Sequence, residues 1–153
     1  MDIREEIKSS GFISTFHQAI VNIYFTSNWI IERQNPHYQA YDLLPQHFNV
    51  LVILRGKAPL PCSAKEIKEI LLDKGRDLTR LVDKLVRMGL VRREVNPENR
   101  RQMHIWLTEE GLALVSELDE KIMQEIRSID CLSQEESQEL NRLLDKIRSC
   151  GEK

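Results

Sequence analysis

Apolar positions along this chain follow two rhythms, and the switches between them mark its organisation. Over residues 3–33 they recur at three- and four-residue steps, which predicts one long helix. Within "FHQAIVNIYFTSNWII" they spread beyond a single stripe. Phe16, Ala19, Ile20, Ile23 and Ile30 share one side, and Val21, Phe25 and Trp29 populate another. A helix apolar on several sides must be covered on several sides. A second subunit is a natural cover; the other reading is the central core helix of a monomer. "NPHY" at 35–38 breaks the pattern, and Pro45 suits the first turn of a second helix over 45–56, with Phe48, Val50, Leu51, Ile53 and Leu54 apolar.

"GKAPLPCS" is a further break, with room for a short strand near Leu60–Cys62. Ser63-x-x-Glu66 then gives a capping-box pattern before Ile67, Ile70 and Leu71. "DKG" interrupts, and another helix is expected over about 76–88, ended by Gly89. Two short helices joined by a tight, glycine-containing turn form a helix-turn-helix candidate. The rhythm then changes to two. Val91, Arg93 and Val95 alternate with Arg92 and Glu94, and Met103, Ile105 and Leu107 alternate with Gln102, His104 and Trp106. Alternation on both sides of "NPENRR" predicts a hairpin with a longer loop.

From Thr108 the helical rhythm returns. "TEEG" offers an N-cap and two acids that suit a helix N-terminus. Leu112, Val115, Leu118, Ile122, Ile126 and Ile129 follow, and a second capping box, Ser133-x-x-Glu136, opens a run through Leu140, Leu143, Leu144 and Ile147. The expected architecture is mainly α with one small β-hairpin. Terminal helices bracket a helix-helix-hairpin module.

Charge sharpens this picture. The net formal charge of −2 conceals a basic middle: residues 45–107 hold 13 basic and 7 acidic residues. Both flanks are acidic, with 3 basic and 5 acidic residues over 1–44 and 6 basic and 12 acidic over 108–153. Such asymmetry suggests a polyanionic partner for the middle. Hydrophobic content of 41% and charged content of 30% suit an ordinary globular protein. No apolar run reaches the roughly 18 residues of a membrane span, and "MDIREEIKSSG" lacks the basic-then-apolar order of a secretory signal. Cys62, Cys131 and Cys150 are odd in number and lack metal-type spacing, which favours a reducing, cytoplasmic compartment. No glycine-rich phosphate loop, nucleophile elbow or carboxylate cluster suggests an enzyme or a bound cofactor. His17, His37, His47 and His104 stand singly, so no metal site is expected.

The predicted 76–88 helix divides cleanly on a wheel. Leu78, Leu81, Val82 and Leu85 face one way; Arg76, Thr79, Arg80, Asp83 and Arg87 face the other, with Asp77 and Lys84 at the margins. An amphipathic surface helix shows this division whatever its function, with Asp83 pairing to Arg80 and Arg87 along the helix. The functional reading places the polar face in the DNA major groove, where arginine bonds guanine edges and threonine meets bases or phosphates. A cationic hairpin beside such a helix can reach the minor groove, and lysine or arginine contacts to phosphate add affinity through counterion release. The contrasting hypothesis is a module whose charged face binds a protein partner.

The stretch "DLTRLVDKLVRMGLVRREVNPENRRQMHIWLTEEG" (77–111) resembles the winged helix-turn-helix signature of MarR-type transcriptional regulators. The order matches: a "TRLVD.L" recognition helix, "GLV.R" into the first wing strand, "P..RR" at the wing tip, then "LTEEG". The resemblance implies a winged helix-turn-helix over 45–107 and a helical dimerisation region over 1–34 and 108–153. It also implies a homodimer reading a pseudo-palindromic operator, with half-sites about one helical turn apart. On this resemblance Thr79 and Arg80 match groove-reading positions. Arg76 and Asp77 occupy the variable start of the helix, and Arg100 and Arg101 lie at the wing tip, within 96–102; these residues, with Lys84 at the margin of the polar face, are the expected DNA contacts. The commonest mode in the family is repression relieved by a small-molecule effector; Phe16, His17, Tyr24 and Trp29 are the candidate pocket residues. The chain departs from the pattern at Asn99, where an aspartate is frequent, and at Lys68, where a small residue is common. It also lacks the cysteine near the start of the first helix through which some relatives sense peroxides.

Overall fold

The computed structural model describes residues 2–8, 11–73, 75 and 77–150. A four-residue helix α1 (Ile3–Glu6) precedes α2 (Thr15–Gln39), so the single helix expected over 3–33 is two. The division has a local cause: Ser14 is extended, and its hydroxyl accepts the His17 N–H at 3.1 Å, which caps a new helix start. The expected break at "NPHY" does not occur, and Pro36 lies inside α2. Tertiary anchoring holds the last turn in place. Tyr38 is buried, its ring packs on Phe48 at 5.6 Å, and its hydroxyl donates to Gln34 Oε1 at 3.3 Å. Burial pushes the Tyr38 phenol up to about 12.

Helix α3 (Pro45–Lys57) has proline at its first position, as the sequence predicts. The strand expected near Leu60–Cys62 appears as β1 (Cys62–Ser63). Ser63 then caps α4 (Ala64–Ile70) in a complete capping box: its hydroxyl accepts the Glu66 N–H, and Glu66 Oε2 accepts the Ser63 N–H at 2.8 Å. The Ser63 N–H and the Ser63 hydroxyl, which also donates to Glu66 Oε2 at 2.9 Å, together with Lys57, lower the Glu66 carboxyl to about 2. Helix α5 (Leu78–Arg87) is shorter than the expected 76–88 because Asp77 serves as its cap and Met88 closes it, with Gly89 at φ 72°.

Strands β2 (Val91–Val95) and β3 (Met103–Leu107) form the hairpin, and β1 adds to β3, giving a three-stranded antiparallel sheet in the order β1-β3-β2. Register pairs Arg93 with Ile105 and Cys62 with Ile105, so Ile105 is the buried centre of the sheet. Two long helices follow, α6 (Glu109–Ser128) and α7 (Gln134–Ser149), the latter opened by the Ser133–Glu136 capping box.

The chain forms two compact units, Met1–Ile122 and Met123–Lys153. The core of the first comprises Phe48, Val50, Leu51 and Leu54 of α3, Ile67 of α4, Leu81, Val82 and Leu85 of α5, Ile105 of the sheet and Val115 and Leu118 of α6. The junction of wing and α6 is closed by two residues of the "LTEEG" stretch. Thr108 Oγ1 donates to Gly89 O at 2.7 Å and accepts the Gly111 N–H at 3.0 Å. A Cβ on Gly111 would lie 2.0 Å from Leu90 O, so this close approach admits only glycine. In the second unit α7 buries none of its residues. No helix among the described residues is long and apolar enough to cross a membrane.

Candidate nucleic-acid interface

Helix α5 is positioned by its apolar side. Leu78, Leu81, Val82 and Leu85 are buried, while Thr79, Arg80 and Arg87 are exposed. For these seven residues the wheel read from the sequence describes the helix as it stands. Arg76, expected at its start, lies outside the described residues. Asp77 accepts the backbone N–H groups of Thr79 and Arg80, at 3.0 and 3.4 Å, and its second oxygen lies 3.3 Å from Arg80 Nε. Its first task is thus to satisfy the open end of the helix.

Two residues of α5 depart from their expected use. Asp83 does not pair along its own helix; it meets Arg93 of β2 at 2.7 Å, with both side chains half-buried. Strand β2 packs directly against α5, which presents a better-placed cation than either helical neighbour. Lys84 turns away from the exposed face. Its ammonium pairs with Asp42 Oδ2 at 2.9 Å and also donates to the Asp42 carbonyl. That ammonium holds the Asp42 carboxyl below the usual range, chiefly through their hydrogen bond.

The four arginines of the wing divide into two pairs. Arg92 and Arg93 sit on opposite faces of β2, and both are engaged within the module. Arg92 stacks on Trp106, 4.5 Å from the ring centre, and pairs with Glu94 at 2.9 Å, while Arg93 holds Asp83. His104 meets the same Trp106 edge-on at 5.4 Å. Arg100 and Arg101 are exposed at the tip.

The tip itself is braced by two asparagines. Buried Asn96 accepts the N–H groups of Glu98 and Asn99 through Oδ1, at 2.9 and 3.3 Å, and its own N–H donates to Gln102 O at 3.0 Å. Asn99 Oδ1 accepts the Arg101 N–H at 3.2 Å, and its carbonyl accepts the Gln102 N–H at 2.8 Å. Asparagine at 99 thus steadies the backbone of the arginine rather than its guanidinium. Lys68, the other departure, is exposed and leaves the packing of α4 intact.

The aromatic candidates for an effector pocket are not brought together. Phe16 and Tyr24 are 60% and 67% exposed, and His17 accepts the Ile13 N–H at 3.3 Å while packing edge-on against Phe12. Trp29 lines a cleft of about 550 Å³ with Ile3, Glu6, Asn22, Phe25 and Thr26. Around α2, His17 and Tyr24 share a direction but stand about two turns apart, while Phe16 and Trp29 point elsewhere. Among the described residues no group of His, Cys, Asp and Glu could hold a metal ion. Cys62 is buried, and burial pushes its thiol up, away from reactivity.

Residues that the sequence pattern did not single out are Asn96, Asp42 and Tyr41. Asn96 followed by proline is a turn signal, and it foretold the bend but not the burial. Asp42 and Tyr41 carry no motif, and their contacts are long-range.

Residues 41–102 match the model of the MarR family. The HTH-type transcriptional regulator PecS of Dickeya dadantii is 32% identical over 112 residues, covering 72% of this chain and 68% of that protein. MgrA of Staphylococcus aureus, also an HTH-type transcriptional regulator, is 32% identical over 113 residues, covering 74% and 75%. Among solved structures, a cysteine-to-serine variant of MarR from E. coli complexed with operator DNA superposes with a TM-score of 0.73. It is 27% identical, and the match covers 91% of this chain and 99% of that one.

Proposed function

Since this chain belongs to the MarR family of DNA-binding transcriptional regulators, we propose that it binds a pseudo-palindromic operator as a homodimer, with α5 in the major groove and the 96–102 wing tip at the minor groove. The observation that carries this reading is the division of cations in the module. Lys84, Arg92 and Arg93 are committed internally, whereas Arg100 and Arg101 stand exposed on a loop braced by Asn96 and Asn99. Thr79 and Arg80 supply the groove-facing contacts, Asp77 holds the helix start that presents them, and Arg76 adds charge beside it. The MarR variant whose fold this chain shares is itself held on operator DNA, which supports the same docking.

In the proposed dimer, residues 1–34 and 108–153 form the subunit contact and 45–107 the DNA-binding domain. Support comes from apolar side chains left exposed in the single chain: Ile13, Phe16 and Tyr24 near the start of α2, and Leu140 and Leu143 of α7. The regulator acts in the cytoplasm, by binding rather than catalysis, as a repressor released when a small molecule occupies the helical region. The cleft beside Trp29 is the candidate place.

Selection of bound duplexes from a random pool identifies the operator and its half-site spacing. On that duplex, replacing Arg100 and Arg101 together by alanine is expected to weaken binding. The slope of log affinity against log salt should shrink by about 0.9 for each phosphate that the variant no longer neutralises. Unchanged affinity in this variant and in Arg80→Ala overturns the proposed surface, and a monomeric mass in solution overturns the dimer.

A further inference from the structure

The recognition helix is fastened by a turn that lies outside the helix-turn-helix motif. Between α2 and α3, Tyr41 and Asp42 reach in two directions. The Tyr41 hydroxyl donates to Glu117 Oε1 of α6 at 2.6 Å, and Lys121 Nζ donates to both oxygens at 2.8 Å while lying 5.1 Å from the ring centre. The next residue, Asp42, receives Lys84 of α5 through its carboxylate and its own carbonyl.

The Asp42 side chain is 89% exposed, yet three facts set this contact apart from an ordinary surface ion pair. Lys84 is mostly covered, with 26% of its side chain exposed, although it lies on a helix that otherwise presents its polar face to solvent. It donates to two acceptors on one residue, so the ammonium is fixed in place rather than swinging on a long stem. Asp42 adopts φ 53°, a left-handed conformation that non-glycine residues seldom take and that aspartate tolerates better than most. That backbone turn aims its carbonyl and carboxylate at the same ammonium.

We propose that Tyr41 and Asp42 form a two-pronged link between α6 and α5, making Asp42 and Lys84 positioning residues that set how the recognition helix is presented to the operator. This deepens the DNA-binding reading and rests on it. It also reassigns Lys84, whose place at the edge of the polar face suggests a phosphate contact. The two roles make opposite predictions for Asp42. If Lys84 meets phosphate, removing the neighbouring acid frees a cation and tightens DNA binding. If Asp42 positions the helix, removing it weakens cognate binding.

The test compares Asp42→Asn and Lys84→Met with the wild-type chain, by fluorescence anisotropy on the selected operator and on a scrambled duplex across a salt series. Asparagine suits the left-handed turn as well as aspartate does, so the first change removes charge without new backbone strain. Lys84→Met should weaken operator binding roughly tenfold, the order expected for bonds to a charged group. Asp42→Asn, which keeps the carbonyl acceptor, should weaken it by about two- to threefold, a surface-pair effect. Scrambled-duplex affinity and the salt slope should stay unchanged in both. A salt slope smaller by about 0.9 in Lys84→Met, or tighter binding by Asp42→Asn, overturns the link. Hydrogen exchange on the free protein provides a measurement that does not depend on DNA. Amides of α5 should exchange faster in both variants while those of α3 keep their protection, and unchanged protection of α5 overturns the proposal. Failure of the wild-type chain to prefer its operator over the scrambled duplex instead overturns the DNA reading alone.

Discussion

Helix α5 places Leu81, Val82 and Leu85 on one side at helical spacing, and all three are buried in the core, where α5 packs on α3 and β2. Helix α7 places Leu140, Leu143, Leu144 and Ile147 at the same kind of spacing, and none is buried. Both helices are amphipathic and both begin with a side-chain cap, Asp77 in one and Ser133 in the other. The pattern of apolar positions states that a face must be covered; it does not say whether the same chain supplies the cover. In α5 the module covers itself. In α7 the cover, on the proposed dimer, is a second copy. The winged module should therefore obey single-chain energetics, and the terminal helices should respond to protein concentration.

The largest break of this contrast is Leu85→Ala. Leu85 is fully buried, and a leucine-to-alanine cavity of this kind costs about 3–5 kcal/mol. Chemical denaturation should show that loss at every protein concentration. A concentration-dependent loss would mean that the module core also relies on the partner. Gly111→Ala comes next. Its added methyl must displace the Leu90 carbonyl from 2.0 Å, and overpacking typically costs about 1–3 kcal/mol. The change should lower the thermal midpoint and loosen the wing base, seen as faster amide exchange at Thr108; a midpoint equal to wild type argues against a tight clasp.

Leu140→Ser with Leu143→Ser sharpens the other side of the comparison. Neither leucine is buried in the single chain, so unfolding of the winged module at low concentration should change by less than about 0.5 kcal/mol. The dimer-to-monomer midpoint in sedimentation should move to higher concentration, and an unmoved midpoint removes α7 from the contact.

The smallest effect is a pH dependence from His47. It is buried in α3, and its Nδ1 accepts the Leu44 N–H at 2.9 Å. Burial, and then the nearby Lys84 ammonium, lower its pKa below the free value of about 6.5. The unfolded chain therefore holds the proton more tightly. His47 contributes its full stability above pH ~6.5, and that contribution declines as pH falls from there to the folded-state value. Urea midpoints at pH 7.5 and 5.5 should differ more for the wild-type chain than for His47→Gln, which keeps an acceptor without a titration. Equal differences would mean that His47 is not held neutral by the fold.

Much of the fold was legible because its signals are local. The alternation at 91–95 and 103–107, the two serine capping boxes and Pro45 each depend on residues within a few positions of one another, and each element forms where those residues stand. The misreadings have the opposite character. The helix passes through Pro36 because Tyr38 is anchored on Phe48, and Asp83 prefers Arg93 because a strand lies beside its helix. Lys84 leaves the polar face for a turn 42 residues earlier in the chain. Charge at the candidate interface could be counted from the sequence. Which cations are already spent inside the module could not, because that depends on who packs next to whom.

The asparagine bracing of the wing tip separates two things that salt usually confounds. Asn96 and Asn99 hold the loop through uncharged side-chain-to-backbone bonds, and Asn96 is buried. Mobile ions have little to screen in such a scaffold, whereas the guanidinium–phosphate attraction proposed at its apex would be strongly screened. The loop should keep one shape from dilute to concentrated salt while its grip on a polyanion changes by orders of magnitude. The difference in salt slope between the wild-type chain and the Arg100→Ala/Arg101→Ala variant should then count counterions released at the tip, with no folding of the tip mixed into it.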